Sequence, residues 1–369
     1  MSKTRYIQAL TCRKPTVIPH QVWLHHPKFI SHATGVNYFE HPREATFRFH
    51  ARYDIDNGGP LHLSEKPIEP PPAGKTAAGG ERSGEGFNTV WHNCAPFTEP
   101  EQLWNFDPDP WGPDADKAIE PNYAVKNFKW CYEPDTWPER IVNENAAWKE
   151  IETAFPSKFT DARGFYCTVF MWGICIFGWD VFLTALGLNP QRTGETLIRI
   201  SDITKRMYRY FASCSNAHFV CPHDDLCINS GPVTSPEWYK KYIFSQYEHI
   251  FDPVKAAGKP VILTSDGDIR QLASLLTGYV DGFIFESSTP PDFMYNTFGS
   301  SKCLIGGIDV RVLTFGSSSD VKREVKKAIE KGRQYAGYVI ACSDTIPANV
   351  PIENVYAYFD TVEECRSRS

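Results

Sequence analysis

The stretch PVILTSDGDI, residues 260–269, joins the pattern of a buried β-strand to an acidic end. An apolar run rich in β-branched residues follows Pro260, and Asp266 and Asp268 then flank Gly267. β-Branched residues favour strands. A strand that ends on two carboxylates is typical of a turn with helix-capping residues, or of a site at the mouth of a barrel.

Apolar runs of the same kind recur through the second half of the chain, with helical patterns between them. The predicted strands are 218–224, 260–264, 280–286, 303–309 and 337–342, and the predicted helices include 235–254, 320–331 and 351–363. Strands that alternate with helices at about 30-residue spacing are typical of parallel β/α units.

The first half supplies three more candidate strands, at 16–24, 87–94 and 164–173. Three and five make eight, which favours a closed α/β structure, the (β/α)8 TIM barrel, with an N-terminal extension and inserted loops. We therefore predict a single domain over 1–369, with the Pro- and Gly-rich segment 65–86 as a surface loop and 100–140 as an irregular insertion.

Composition narrows the class of protein. The 369 residues are 42% hydrophobic, carry a net charge of −6 and include 11 scattered cysteines. The charge gives no sign of a nucleic-acid surface, and no apolar run is long enough for a membrane helix. The start MSKTRYIQAL does not read as a secretory signal, so we expect a cytoplasmic protein with free thiols. The aromatic share of 14% can fill a core and line an apolar ligand pocket.

Acidic residues follow five successive predicted strands, at the end where barrel enzymes place their active groups. They are Asp224, Asp225, Asp266, Asp268, Glu286, Asp309 and Asp344. Because parallel neighbours lie about 4.8 Å apart, we expect Asp266, Glu286 and Asp309 to share one cavity. Crowded carboxyl groups have raised pKa values and can donate protons.

Structural roles remain open for each of these residues. The acids can cap helices, shape turns or pair with Arg270 and Arg311, and Cys342 can be a buried apolar residue. His223 can be a general acid or a surface histidine.

Three segments resemble the uroporphyrinogen decarboxylase superfamily: 223-HDDLCINSGPVTSPEWYKKYIFSQYEHIFDPVKAAGKPVILTSDGDI-269, 305-IGGIDVRVLTFGSSSDVKREVKKAI-329 and 337-GYVIACSDTIPANVPIENVYAY-358. The resemblance implies a (β/α)8 barrel that is either a decarboxylase or a methyltransferase working with a corrinoid. The decarboxylase has an Arg-rich N-terminal signature, whereas this chain has no Arg between Arg13 and Arg43. The thiol-methylating branch has a His-x-Cys-Gly zinc motif where this chain has Thr264-Ser265-Asp266-Gly267.

The chain therefore most resembles the demethylating methyltransferases. That resemblance implies transfer of a methyl group from an O- or N-methylated small molecule, such as an aryl methyl ether, to the Co(I) corrinoid (cobalamin) of a partner protein. The candidate catalytic residues are Asp225, His223, Asp266 and Asp309, and the candidate zinc ligands are Glu286, Asp266, Cys342 and Asp344. The alternatives are a decarboxylase or lyase of a tetrapyrrole or other acidic substrate, and a barrel that binds without catalysis. The sequence leaves the oligomeric state open.

Overall fold

Eight parallel strands form the central layer of the structure, a computed structural model that describes residues 2–70, 74–75, 80–82, 89–91, 96–158 and 163–367. The strands are β1 (Gln21–Val22), β2 (Asn57–Gly58), β3 (Arg163–Cys167), β4 (Val220–His223), β5 (Ile262–Ser265), β6 (Gly282–Phe285), β7 (Cys303–Ile308) and β8 (Tyr338–Cys342).

The strands are neighbours in the order expected of a barrel. A continuous six-stranded parallel sheet runs from β8 back to β3. The bridge His20–Ile340 joins the start of β1 to β8, and β1 pairs with β2 in parallel. The fold is a (β/α)8 barrel, as predicted.

Helices surround these strands. Those of eight or more residues are Ser2–Leu10, Pro27–Thr34, Pro42–Arg52, Trp137–Ala154, Phe170–Phe177, Trp179–Leu188, Pro190–Ser213, Ser245–Ala256, Pro291–Phe298, Ser318–Gly332 and Ile352–Cys365. Shorter helices are Pro100–Trp104, Pro236–Tyr239, Ala273–Leu276 and Val310–Phe315, and Lys240–Phe244 forms a π-helical turn. The helix Ser318–Gly332 begins with a capping box between Ser317 and Asp320, which satisfies its first backbone N–H groups.

Alternate residues of each strand face opposite sides, which gives the molecule two apolar clusters. The inner cluster faces the barrel axis and contains Cys221, Ile262, Ile284, Ile305, Val339 and Ala341, closed at one end by Tyr6 of the first helix. The outer cluster packs the other strand faces, such as Leu263 and Phe283, against the helices. Which side a residue faces is therefore set by its position along the strand.

The five strands predicted in the second half are confirmed, and so is a strand within 16–24. Two predictions in the first half need correction. The second barrel strand is Asn57–Gly58, not 87–94. Of 87–94, the described part Thr89–Trp91 belongs to a separate antiparallel sheet of three short strands. The stretch 164–173 holds strand β3 and then turns into the helix Phe170–Phe177.

The two predicted insertions are described in part. Segment 65–86 lies partly outside the described residues. Within it the structure has the short strands Gly74–Lys75 and Gly80–Arg82. Segment 100–140 contains the helix Pro100–Trp104, the 3-10 turns Pro121–Tyr123, Val125–Tyr132 and Pro134–Thr136, and the start of the helix Trp137–Ala154. No helix among the described residues is both long and apolar enough to cross a membrane.

Candidate functional site

The carboxyl ends of β4 and β5 bring His223, Asp225 and Asp266 together. His223 is paired in register with Thr264, so the residues that follow these strands lie side by side. One ligand-type atom from each of the three side chains lies within 4.8 Å of the others. We call these three residues the mouth cluster. Candidate residues from the ends of two different strands thus lie together in the structure.

Asp225 links the mouth cluster through hydrogen bonds. Its Oδ1 lies 3.0 Å from Nε2 of His223 and accepts the backbone N–H of Asp266, also at 3.0 Å. Burial alone would lower the pKa of His223, but the hydrogen bond and charge of Asp225 raise it above its ordinary value. Burial also opposes ionisation of Asp225, yet His223 holds the pKa of Asp225 below its usual range. The two residues therefore form an ion pair when His223 is protonated.

Asp266 has the opposite character. Desolvation of its carboxyl group at the rim of the mouth, together with the negative charges of Asp225 and Glu286, raises the pKa of Asp266 to about 7, although the residue as a whole is exposed. A carboxyl group with this pKa is protonated in a large fraction of molecules near neutral pH. Asp266 can therefore donate a proton to a leaving group. Asp225 cannot, because its pKa lies below the usual range.

Glu286 stands beside the mouth cluster at the end of β6. Its Oε2 accepts the backbone N–H of Gly267 at 3.1 Å and the hydroxyl of Ser288 at 3.0 Å. Gly267 has φ +78°, and a Cβ there would lie 2.5 Å from the carbonyl of Cys227. Only glycine fits this turn without displacement, so Gly267 fixes the path of the chain just after Asp266.

Asp309 and Asp268 are engaged in local structure. Asp309 accepts the backbone N–H of Arg311 at 2.8 Å as the N-cap of Val310–Phe315, and it pairs with the guanidinium of the same residue at 2.7 Å. Asp268 makes the same two contacts with Arg270. Asp266 and Glu286 lie near each other, whereas Asp309 is turned toward its own helix, and the lining of the main cavity includes none of these three acids.

The side chains of Asp344 and Cys342 lie in different parts of the structure, and Asp344 follows the end of β8. Asp344 lines the main cavity, and its charge contributes to the raised pKa of Asp266. Cys342 packs in the outer cluster, where it contacts Tyr358 of the last helix, and burial raises its pKa. Cys342 faces the helices because Ala341, the residue before it on β8, faces the barrel axis, so the structure does not bring Cys342 to the mouth cluster.

A cavity of about 830 Å³ has Asp344 in its wall, whose charge acts on Asp266, although His223, Asp225 and Asp266 are not among the residues that line it. Its floor contains Phe219, Cys221 and Ile284 of the inner cluster, and its walls come from the segments that follow β1, β2 and β8. Rings in the wall include Trp23, Tyr38, Phe39, His25, His26 and His62. The carboxylates are Glu69 and Asp344, and the described lining contains no Lys or Arg. The cavity thus suits an apolar ligand without several negative charges.

Sequence reasoning missed Glu120 because it lies in the predicted irregular insertion. The backbone N–H of Glu120 donates to the carbonyl of Cys175 at 3.2 Å, which ties the insertion to the helix Phe170–Phe177. Burial raises the pKa of Glu120, and the charge of nearby His223 lowers it in part. No local pattern in the sequence reveals this proximity.

Comparison with known proteins assigns the family. The uroporphyrinogen decarboxylase (URO-D) family matches residues 169–365, more than half of the chain. The chain belongs to this family. The match covers strands β4–β8 and the whole mouth cluster.

The chain is similar to two proteins of named activity. The chain is similar to a uroporphyrinogen decarboxylase of Carboxydothermus hydrogenoformans, with 28% identity over 182 residues, and it spans about half the length of that relative. It is also similar in structure to a methyltransferase from Methanosarcina mazei, with a TM-score of 0.60, 15% identity and coverage of 98% of both chains. At this identity the second likeness shows the fold alone.

Proposed function

We propose that this URO-D family member is a methyltransferase that moves a methyl group from an O- or N-methylated small molecule to the Co(I) corrinoid of a partner protein. The observation that carries the proposal is a carboxyl group with a near-neutral pKa, Asp266. Asp344, whose charge acts on Asp266, lines a cavity that lacks cationic side chains in its described lining.

The lining argues against a tetrapyrrole with several carboxylates. Such a substrate needs counter-charges, usually from Arg or Lys. Here the described charged groups of the wall are Glu69 and Asp344, and Arg270 and Arg311 are already paired with Asp268 and Asp309. An aromatic wall with acids instead suits a neutral ring, such as an aryl methyl ether, or a methylated amine.

Asp266 can donate the proton that demethylation of an ether requires. When the methyl carbon leaves the ether, the bonding electron pair stays on oxygen, and a proton donated by Asp266 converts that oxygen into a neutral hydroxyl group. The His223–Asp225 pair lies next to Asp266 and can return a proton to it after each turnover. The corrinoid cobalt supplies the nucleophile.

Zinc is a second possible source of assistance. One imidazole nitrogen and two carboxylate oxygens within 4.8 Å of one another fit a metal that keeps a position open for substrate. His223, Asp225 and Asp266 would hold it, with the metal polarising the leaving heteroatom. Of the predicted ligands Glu286, Asp266, Cys342 and Asp344, only Asp266 belongs to this group.

A protein partner would dock at the carboxyl end of the barrel. Ile228 and Phe315 follow β4 and β7 at this end, and both are exposed apolar residues. A corrinoid protein that docks at this end would cover these two side chains.

Decarboxylation is the second candidate, because the family and the Carboxydothermus hydrogenoformans relative bear the name of that reaction. The two candidates separate in one pair of assays. Purified protein is mixed with a reduced corrinoid protein and a panel of methyl ethers and methylamines, and methylation of the corrinoid is followed by absorbance. Uroporphyrinogen is supplied in parallel, and carbon dioxide is measured. Methyl transfer with one donor class supports the proposal, and carbon dioxide release without methyl transfer rejects it.

A further inference from the structure

Asp224 lies between His223 and Asp225 in sequence but faces the other side of the strand end. It is fully buried. Its Oδ1 accepts the backbone N–H of Met171 at 2.7 Å, and its Oδ2 accepts the backbone N–H of Val169 at 3.1 Å and the hydroxyl of Tyr247 at 2.8 Å. A carboxylate with these partners holds the turn after β3 against β4.

A second hydrogen bond links the same turn to β4. The backbone N–H of Thr168 donates to the carbonyl of His223 at 3.1 Å. The turn is thus held to the end of β4 by the backbone carbonyl of His223 and by the side chain of Asp224. A displaced turn would shift the backbone that orients His223 and Asp225.

The turn also starts the helix Phe170–Phe177. The carbonyl of Cys175 in that helix accepts the backbone N–H of Glu120, the acid whose pKa responds to His223. Asp224 is therefore connected to the mouth cluster on one side, and through the helix to Glu120 on the other.

We propose that Asp224 is a positioning residue: its buried carboxylate holds the turn after β3 so that His223 and Asp225 keep their contact at the mouth of the barrel. The groups that face Asp224 from the packed helices are the hydroxyls of Tyr208, Tyr239 and Tyr247. Burial raises the pKa of each of these tyrosines, so they remain neutral around the carboxylate.

The test uses Asp224→Asn. Asparagine keeps one acceptor but turns an N–H₂ group toward a backbone N–H or the Tyr247 hydroxyl, so part of the anchoring is lost. The probe is the imidazole ¹⁵N signal of His223, recorded at one fixed pH in chelator-treated protein and assigned with His223→Gln. We expect the signal to move toward that of an imidazole without a carboxylate partner. Asp281→Asn is the matched control, because Asp281 accepts the backbone N–H of Val261 at the opposite end of β5 and should leave the signal unchanged.

A double-mutant cycle separates positioning from the mere loss of a charge. If Asp224 acts by holding the His223–Asp225 contact, the effect of Asp224→Asn on the signal disappears in an Asp225→Asn background. If the effect is equal in both backgrounds, or absent in both, the proposal is overturned. Should Asp224→Asn fail to fold, Tyr247→Phe removes one bond and keeps the charge. A smaller shift in the same direction supports positioning, and no shift overturns it.

Kinetics add a second readout that rests on the proposed function. The substrate cavity is walled by β1, β2 and β8, away from the turn after β3, so Asp224→Asn should lower kcat by at least about tenfold with KM nearly unchanged. If the wild-type protein transfers no methyl group, the proposed function fails, whereas the imidazole signal still decides the role of Asp224.

Discussion

Asp266 differs from the acids around it in its pKa, which is about 7. If Asp266 donates the proton, wild-type activity should be present at low pH and lost as the pH rises through about 7. Asp266→Asn should lower the rate by about 10²–10⁴-fold and abolish that pH dependence. The measurement is the rate of methyl transfer from an ether between pH 5.5 and 8.5, a range set to span about one and a half units on each side of this pKa.

Asp268→Asn is the control for that experiment. Asp268 lies in the same turn, but the guanidinium of Arg270 holds its pKa below the usual range. The variant should keep the high-pH loss of activity. If the loss persists in Asp266→Asn as well, another group carries the proton.

Asp309 was predicted to be catalytic, whereas its contacts are those of a helix cap. Removal of an N-cap side chain costs about 0.5–2 kcal/mol. Asp309→Ala should therefore lower the free energy of unfolding by about 1 kcal/mol, with activity changed less than about threefold. Urea unfolding and the methyl-transfer rate, measured on the same preparation, test this. A loss of activity as large as that of Asp266→Asn would restore a catalytic role for Asp309.

Part of the site could be predicted from sequence because strand ends converge. The sequence placed Asp266, His223 and Asp225 at strand ends and the structure brings them together, while their catalytic roles stay predictions. Glu120 could not be predicted, since it comes near His223 through the tertiary packing of an irregular segment, which no local sequence pattern predicts. Cys342 illustrates a different limit: the sequence placed the end of β8 at Cys342 correctly, but one position along a strand reverses the side that a residue faces, and the sequence did not show which side Cys342 faces.

The turn after β5 is the element on which the mouth cluster depends most directly. Gly267→Ala would place a Cβ 2.5 Å from the Cys227 carbonyl at φ +78°, so the turn must move and take Asp266 with it. We expect at least about a tenfold loss of methyl-transfer rate. The cost in stability should also exceed the roughly 1–2 kcal/mol of left-handed backbone strain alone.

Gly258→Ala separates strain from displacement. Gly258 also has positive φ, +72°, but a Cβ there meets nothing within 4 Å. This variant should lose about 1–2 kcal/mol of stability and keep its activity. Equal losses of activity in the two variants would mean that the turn at Gly267 does not position Asp266.

Strand length explains which elements the sequence could predict. Strands β5–β8 are four to six residues long, are buried throughout and lie in largely apolar stretches of sequence, and they were recognised. Strand β2 is only Asn57–Gly58, without an apolar residue, and is held in the barrel by its pairing with β1. A two-residue polar strand has no periodic pattern, so the apolar stretch 87–94 was taken in its place.

At the scale of the whole molecule, the two ends of the barrel have different roles. The carboxyl end holds the mouth cluster, whereas charges join distant parts of the chain at the other end. Asp56 is fully buried and accepts hydrogen bonds from Ser2, Arg5, the backbone N–H of His20, and Arg366. This arrangement fits the general separation of chemistry and stability between the two faces of such barrels.

Arg366→Met tests that division of roles. The side chain of Arg366 is 5% exposed and donates to Asp56 at 3.0 Å, so its loss leaves a buried carboxylate short of a counter-charge. Breaking a buried pair in this way costs about 3–5 kcal/mol. The control is Arg323→Met, which removes a 74% exposed arginine from its pair with Asp320 and should cost about 0–1 kcal/mol. Urea unfolding gives both values.

Because the network is remote from the mouth, Arg366→Met protein that remains folded at low temperature should transfer methyl groups at the wild-type rate. A rate loss in that folded protein would show that the amino end also controls the geometry of the site.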